Sequence, residues 1–509
     1  MGLVARSADV GGAVEERPPF RPSPQQADFL DDLVEGDRHI LLAARAGSGK
    51  STTCRQGSHA LGPRRRSVYC CFNSHVAREF QAGLPPNCRA ATMHSLGLQM
   101  LRDAAGGKTV SVDLEKVDRL VEKRFPRQWD RQPQWATRKL ASLCKNLLLD
   151  GEDPGELEDL AAAYEVDLPT GRLDEVLEAV PAVLKECLET PALVDFDDMI
   201  WLPVKLGLRS AARTDVLFID EAQDLNAAQH AMMPGLCPSG RIVVVGDQYQ
   251  AIYAFRGADA HSLMKLQASL GGSERGLSVR PLTYTRRCPK RVVALARRLV
   301  PDLEALDDAP DGEVVEERPE KWFEAVGVGD MVLCRTNAPL VSACYQLLKS
   351  GVPAVIRGRD IGKGLTVLVR RLKPLTVGDL FRAVGDYRAK ELDKLSRLRN
   401  PASAVQALED KCDCLLAICD GASTVQEVLG RIERMFSDVS DGNVVTLSSI
   451  HRAKGLERDR VVVLRPDLLP GPWAKTLEDQ AQERNILYVG VTRARSRLTF
   501  CGPTPALIA

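Results

Sequence analysis

Two short segments hold residue types that together could break a phosphoanhydride bond. The first, Ala44-Arg45-Ala46-Gly47-Ser48-Gly49-Lys50-Ser51, follows the apolar run His39–Ala43. A strand that feeds a glycine-containing loop and then a helix wraps backbone N–H groups around phosphate, and the helix N-terminus adds the positive end of its dipole. In that frame Lys50 neutralises the β- and γ-phosphates and Ser51 ligates Mg²⁺, with Ala46, Gly47, Ser48, Gly49 and Thr52 forming the rest of the nucleotide-binding loop. The loop departs from the strict pattern at its first position, Ala44, where that pattern has glycine. The second segment is Val216-Leu217-Phe218-Ile219-Asp220-Glu221-Ala222-Gln223-Asp224. A buried strand here delivers two adjacent carboxylates to the edge of a sheet where ligands bind in open α/β folds. Asp220 is placed to hold the metal with Ser51, and Glu221 to orient and deprotonate the attacking water. The two segments together predict a nucleoside triphosphatase.

The elements that must position these groups read as α/β. His39–Ala43, Ser67–Cys71, Val216–Ile219 and Arg241–Val245 are continuous apolar or nearly apolar runs, as expected of strands covered on both faces in a parallel sheet. A second set follows: Leu282–Tyr284, Met331–Leu333, Val352–Ile356, Val444–Leu447, Val461–Leu464 and Leu498–Phe500. Between the sets, and again late in the chain, Leu, Ala and charged residues recur at helical spacing with no strand signal. The expected division is a disordered lead-in over 1–20, a first α/β unit from 21–95 and 193–280 with a helical insertion over 96–192, and a second from 281–375 and 440–509 with a small helical insertion over 376–439.

With 509 residues the chain exceeds what one core usually organises. Apolar content of 44% and charged content of 27% are ordinary for a soluble globular protein, and neither a membrane helix nor a secretion signal is legible, so a cytoplasmic enzyme is expected. The fourteen cysteines lie in apolar segments and read as small buried side chains. Cys412, Cys414 and Cys419 form the one cluster, open to metal or to core packing, without a fourth ligand at suitable spacing. Net charge is zero, so a nucleic-acid site must be a local basic track, the candidates being Arg64–Arg66, Lys123 to Lys145 and Arg370 to Arg399; solvated helix faces are the alternative for each. Arg357–Gly364 is a loop that either touches nucleic-acid backbone or simply turns.

A longer series of motifs resembles the UvrD/Rep/PcrA group of superfamily 1 helicases. Pro24-Gln25-Gln26 is similar to that group's adenine-reading motif, which makes Gln26 the reader. Cys71-Phe72-Asn73-Ser74 and Thr92-Met93-His94-Ser95 resemble its two DNA-contacting motifs, implying Phe72, Asn73 and His94 at DNA. Gly246–Ala258 is similar to the element in which Gln250 would sense the γ-phosphate while Tyr253 and Phe255, with Arg256 beside them, meet DNA bases by stacking. Thr285-Arg286-Arg287-Cys288-Pro289 and Tyr488–Ala494 resemble the motifs that supply two arginine fingers, here Arg287 and Arg493. Leu333–Asn337 and Ser449–Glu457 resemble two further elements, implying Arg335, Asn337 and His451 at DNA and Gly455 and Glu457 near nucleotide.

The resemblance implies two RecA-like parallel-sheet motor domains, ATP and Mg²⁺ as cofactors, and single-stranded DNA with ss/ds junctions as partner, in a nucleoid-associated enzyme that moves 3′→5′ and unwinds duplexes in repair, recombination or replication. It leaves loading partners open. Two departures qualify it: Thr52 and Arg286 stand where relatives sandwich adenine between an arginine and a tyrosine, so Arg286 stacking by its guanidinium plane is the expected substitute. The stretch from Arg287 to Val444 is also short, which implies a small second insertion and a less autoinhibited monomer. The rival readings are a single-stranded DNA translocase that displaces proteins or remodels a polymerase, an RNA motor, and a non-catalytic DNA-binding scaffold.

Overall fold

The computed structural model describes residues 20–126, 131–164, 166–169, 171–252, 262–396, 402–437, 443–472 and 474–508. Among them stand two large sheets in which every strand pairing is parallel. The first has six strands in the order Cys88–Thr92, Ser67–Cys71, Val216–Ile219, Arg241–Gly246, His39–Ala44, Leu277–Leu282. The second has seven, in the order Glu313–Glu317, Ala494–Cys501, Arg458–Leu464, Met331–Cys334, Val445–Ser449, Ala354–Arg357, Phe436–Ser437.

The alternation of side chains along a strand explains the layering. Leu41, Leu217, Ile219, Ile242 and Val244 point to one face of the first sheet, and Ile40, Leu42, Phe218, Val243 and Val245 to the other, each set packed under its own helices. In the second sheet Val332, Cys334, Val462 and Leu464 join one core, while Met331, Leu333, Val461 and Val463 join the opposite one. Both lobes are therefore α/β sandwiches with helices on two faces.

The central strands expected from the sequence are present, with ends shifted by a few residues. Leu282–Tyr284 is a correction: Leu277–Leu282 pairs with His39–Ala44 and closes the first sheet, and only Tyr284–Thr285 lies beyond it. Cys88–Thr92, Leu277–Leu282, Glu313–Glu317 and Phe436–Ser437 were not expected as strands; each is a sheet edge. An edge strand is covered incompletely and loses the continuous apolar signature, and Pro281 is tolerated only at such a place.

The first insertion is built on the helices Lys116–Arg124, Arg131–Leu147, Pro154–Ala163 and Leu173–Glu189 around a core of its own. A two-residue parallel pairing of Ser111–Val112 with Leu193–Val194 closes its neck, a strand contact in a stretch expected to be wholly helical. The later helices Val377–Leu395, Ala402–Cys419 and Val425–Met435 behave differently, because Leu380, Val384, Cys412, Leu415, Val428 and Ile432 share one continuous core with Val332, Leu447 and Val462 of the second sheet. Cys412, Cys414 and Cys419 are buried in that core. Arg357–Gly364 is likewise not a loop: Gly358, at φ +146°, joins the strand Ala354–Arg357 directly to the helix Arg359–Leu372.

Candidate active site and nucleic-acid face

The strand His39–Ala44 ends in a loop whose tight path needs two left-handed residues, Gly47 at φ +72° and Gly49 at φ +80°. Gly49 then caps the helix Lys50–Ala60. Lys50 Nζ lies 3.0 Å from Glu221 Oε1. Burial works to lower the Lys50 pKa, but Glu221, Asp220 and Asp247 prevail and raise it, so the ammonium stays charged. Glu221 itself sits in the left-handed region at φ +50°, a strained setting for a non-glycine residue and one that recurs at functional sites. Burial acts to raise its pKa, yet Lys50 and then Lys454 bring it down to about 2. Asp220 is raised, first by burial and then by Glu221, and its Oδ2 accepts the Tyr69 hydroxyl at 2.7 Å and that of Ser51 at 3.4 Å.

These groups fit a Mg²⁺–triphosphate. Ser48 Oγ is buried in the loop and has no hydrogen-bond partner among the described residues, and Ser51 and Asp220 form a hard oxygen pair beside a buried ammonium. Such a metal would be held by Ser51 and Asp220 and would neutralise phosphate charge.

The second lobe reaches this loop. Arg286 N–H donates to the Gly47 carbonyl at 2.8 Å, and a Cβ added at Gly47 would fall 2.6 Å from Arg287 Cβ and from Thr285 Oγ1. Ala46 N–H donates to Tyr488 Oη at 2.9 Å, and Arg45 pairs with Asp302. Arg287 is ion-paired to Glu457 and donates to the Thr492 carbonyl at 3.3 Å. Arg493 is buried; burial and then Arg287 lower its pKa to about 10, and its Nη2 lies 3.5 Å from Gln250 Oε1. Gln250 Nε2 is in turn bound to Asp247 Oδ2 at 2.7 Å. Lys50, Asp220, Glu221, Gln250, Arg287, Arg493 and Glu457 thus converge on one cleft.

At the mouth of the cleft Gln26 is buried with its amide engaged. Its Oε1 accepts from Ser23 N–H at 3.0 Å and from Arg286 Nη2 at 3.1 Å, and its Nε2 donates to Thr53 Oγ1 at 2.7 Å. Thr52 is exposed beside the loop, and a Cβ added at Gly455, whose φ is +84°, would meet no atom of the described residues within 4 Å.

The nucleic-acid candidates fall into three groups. Phe72 is 62% exposed at the end of its strand, and Asn73 caps the helix Ser74–Gln81 by accepting from Val76 N–H at 2.9 Å. His94 stacks on Phe196 with ring centroids 3.8 Å apart; burial lowers its pKa to about 4, against the pull of Asp197, so the ring is neutral near pH 7. Tyr253, Phe255 and Arg256 lie outside the described residues. On the second lobe His451, Arg452, Asn337, Arg335 and Gln482 border a cavity of about 380 Å³. There Arg335 is held by buried Glu483 at 2.7 Å, and Asn337 by Asp410 at 2.8 Å, so both shape the cavity wall through internal bonds.

Of the basic tracks, Arg64 and Arg66 join Arg89 and Arg213 around an open cavity of about 980 Å³ at the sheet edge opposite the phosphate loop. In the other two, Lys145 is buried between Asp195 and Asp198, and Arg388 and Lys394 pair with acids.

Four residues without an expected role hold central positions. Lys454 Nζ bridges the lobes, 2.6 Å from Asp224 Oδ2 and 2.7 Å from the Gln250 carbonyl, with both charged side chains under 10% exposed. Tyr488 connects the phosphate loop to Asp247, and Phe196 forms the stack with His94. The sequence signal for Asp224, Lys454 and Tyr488 was adjacency to assigned motif residues; Phe196 stood in an unmarked Asp-Phe-Asp-Asp run.

Residues 72–270 match the UvrD/REP helicase N-terminal domain, and residues 376–502 match the UvrD-like helicase C-terminal domain. The chain is 28% identical over 366 residues to the ATP-dependent DNA helicase UvrD2 of Mycobacterium tuberculosis, an alignment covering 60% of this chain and 51% of that protein. It is 28% identical over 306 residues to the ATP-dependent DNA helicase Rep of Escherichia coli, covering 55% and 43%, and 25% identical over 289 residues to the ATP-dependent DNA helicase PcrA of Bacillus subtilis, covering 52% and 38%. The matched region spans about half or less of these relatives' own length. With two family domains in the expected order and the paired parallel sheets around one phosphate cleft, the chain belongs to the UvrD/Rep/PcrA-like helicase family.

Proposed function

We propose that this chain is an ATP-driven, Mg²⁺-dependent motor that moves 3′→5′ on single-stranded DNA, engages ss/ds junctions and unwinds duplexes. The observation that carries the reading is the convergence of Arg287 and Arg493 from the second lobe and Lys50, Asp220, Glu221 and Gln250 from the first on a single interlobe cleft. Lys50 would neutralise the triphosphate and Ser51 and Asp220 would hold its metal, Glu221 takes the proton of the attacking water, and the two guanidiniums meet the charge that develops on the transferred phosphoryl group. Phosphate release frees Arg287 to return to Glu457 and relaxes the cleft. The named relatives are DNA helicases, which supports DNA over RNA as the track.

The supporting division is into two motor domains, 21–95 with 193–280 and 281–375 with 440–509, adjusted at the first boundary so that the strand Leu277–Leu282 stays whole. Gln26 and Arg286 form the base-binding corner, and Phe72, Asn73, His94, Tyr253, Phe255, Arg256, Arg335, Asn337 and His451 the track for DNA.

The test is ATP turnover with and without a single-stranded oligonucleotide, together with strand displacement on duplexes bearing a 3′ or a 5′ tail. DNA-stimulated turnover with displacement from the 3′ tail is expected, and Lys50→Ala and Glu221→Gln should abolish turnover while sparing DNA binding. Full turnover in both variants would overturn the site assignment. Stimulated turnover and protein displacement without strand separation would identify a translocase instead.

A further inference from the structure

Three loops meet at the edge of the first sheet where its strands begin, the edge opposite the phosphate loop. They are 62–66 before the strand Ser67–Cys71, 85–87 before Cys88–Thr92, and 210–215 before Val216–Ile219. Hydrogen bonds hold these loops to one another. Asn87 Nδ2 donates to the Gly62 carbonyl at 2.9 Å and to the Arg65 carbonyl at 2.5 Å. Asp215 Oδ2 accepts from Arg66 N–H at 2.8 Å, and Asp215 N–H donates back to the Arg66 carbonyl at 2.8 Å. A ligand arriving here meets a rim already in place, so loop ordering does not oppose its binding.

The cavity of about 980 Å³ that the loops enclose with the helix Met93–Ala104 is lined by four arginines and one carboxylate, Asp103, in a chain whose net charge is zero. Arg213 pairs with Asp215 at 2.9 Å, whereas Arg64, Arg66 and Arg89 are exposed and form no ion pair among the described residues. Like charges fixed around one concavity raise its potential and favour an anionic ligand. The floor is of another kind, since Leu96, Leu217 and Leu236 are buried beneath the rim with Val68 half-buried beside them. Among the described residues no aromatic side chain lines the cavity, and stacking on aromatics is what holds single strands without regard to sequence. The DNA candidates Phe72 and Asn73 follow the far end of the strand Ser67–Cys71, and five residues of strand span about 16 Å. Carboxylates suit the rim and an aliphatic side chain suits the floor, a combination that an acidic peptide supplies and a nucleic-acid backbone does not.

We propose that this cavity is a docking site for an acidic peptide segment of a partner protein, whose carboxylates meet Arg64, Arg66 and Arg89 while an aliphatic side chain rests on Val68, Leu96 and Leu217. The site lies across the sheet from the interlobe cleft, so a partner seated there leaves the nucleotide and the DNA their own surfaces. The inference goes beyond the motor reading and does not depend on it.

The test uses the full chain and a fluorescein-labelled octapeptide of four aspartates, two leucines and two serines, read by fluorescence anisotropy at low salt. Saturable binding below about 1 mM is expected, weakening as salt is raised. Arg64→Glu combined with Arg89→Glu should weaken it about tenfold or more, while ATP turnover and oligo-dT binding stay within about twofold of the unaltered chain. Peptides with asparagine for the aspartates, or serine for the leucines, should each bind more weakly. If the charge-reversed chain does not fold, Arg64→Ala with Arg89→Ala takes its place, with a smaller loss in the same direction. No saturable binding, equal binding to the altered chain, or equal binding of the leucine-free peptide overturns the proposal. Displacement of the peptide by oligo-dT or a blunt duplex, with nucleic-acid binding lost in the same variant, overturns it too and assigns the cavity to nucleic acid.

Discussion

Tyr488, buried on the last helix of the second lobe, accepts the backbone N–H of Ala46 in the phosphate loop at 2.9 Å. Its hydroxyl also lies 3.4 Å from Asp247 Oδ2. Burial and then Asp247 raise its pKa well above the ordinary phenol range, so it remains a neutral donor to the carboxylate while it accepts from the loop. Tyr488→Phe keeps the ring and strands the Ala46 amide, which should cost about 1–3 kcal/mol, read as a lower thermal unfolding midpoint. An unchanged midpoint would mean that the lobes do not depend on this contact.

Asp224 and Lys454 supply a pH prediction. Burial raises the Asp224 pKa to about 6 although Lys454 opposes it. The folded chain therefore holds a proton there that an unfolded aspartate, near 3.9, has released, so ionising Asp224 costs stability as pH rises from about 4 to 6. Below about 6 the carboxyl is neutral and its ion pair across the lobes is lost, whereas Glu221, at about 2, stays ionised. An acid limb of ATP turnover near pH 6 is expected. Lys454→Met should move it upward, and Asp224→Asn should remove it; a limb that persists unchanged in Asp224→Asn belongs to another group.

Arg287 is held by Glu457 at the cleft wall. Arg287→Ala should lower kcat about 10³-fold or more with ATP affinity within a few-fold, the signature of an interaction made in the transition state. A change confined to KM would reduce Arg287 to a ground-state phosphate contact.

The short stretch from Arg287 to Val444 leads to the expectation of a small second insertion and a less autoinhibited monomer. Because Leu380, Val384, Cys412 and Val428 are part of the second lobe's own core, deletion of residues 380–435 should instead unfold that lobe, seen as loss of its cooperative unfolding transition. Retention of that transition would show the helices to be dispensable.

How much of this was legible follows physical lines. Central strands such as Val216–Ile219, buried on both faces, write a continuous apolar run into the sequence, and the phosphate loop writes glycine at the two points where the backbone must turn left-handed. Edge strands such as Glu313–Glu317 do not, because half their surface remains wet.

By itself the sequence determined the local chemistry: Lys50 on a helix N-terminus after a strand, Asp220 and Glu221 at a strand end, and the arginines of two later motifs. Those depend on neighbours in the chain, where spacing and residue type suffice. Only the tertiary structure decided which distant groups meet: Tyr488 on Ala46, Lys454 on Asp224, Lys145 on Asp195 and Asn146 on Asp197. Such pairs are set by how two sheets and an insertion pack, and contacts across packed layers leave no periodic trace along the chain.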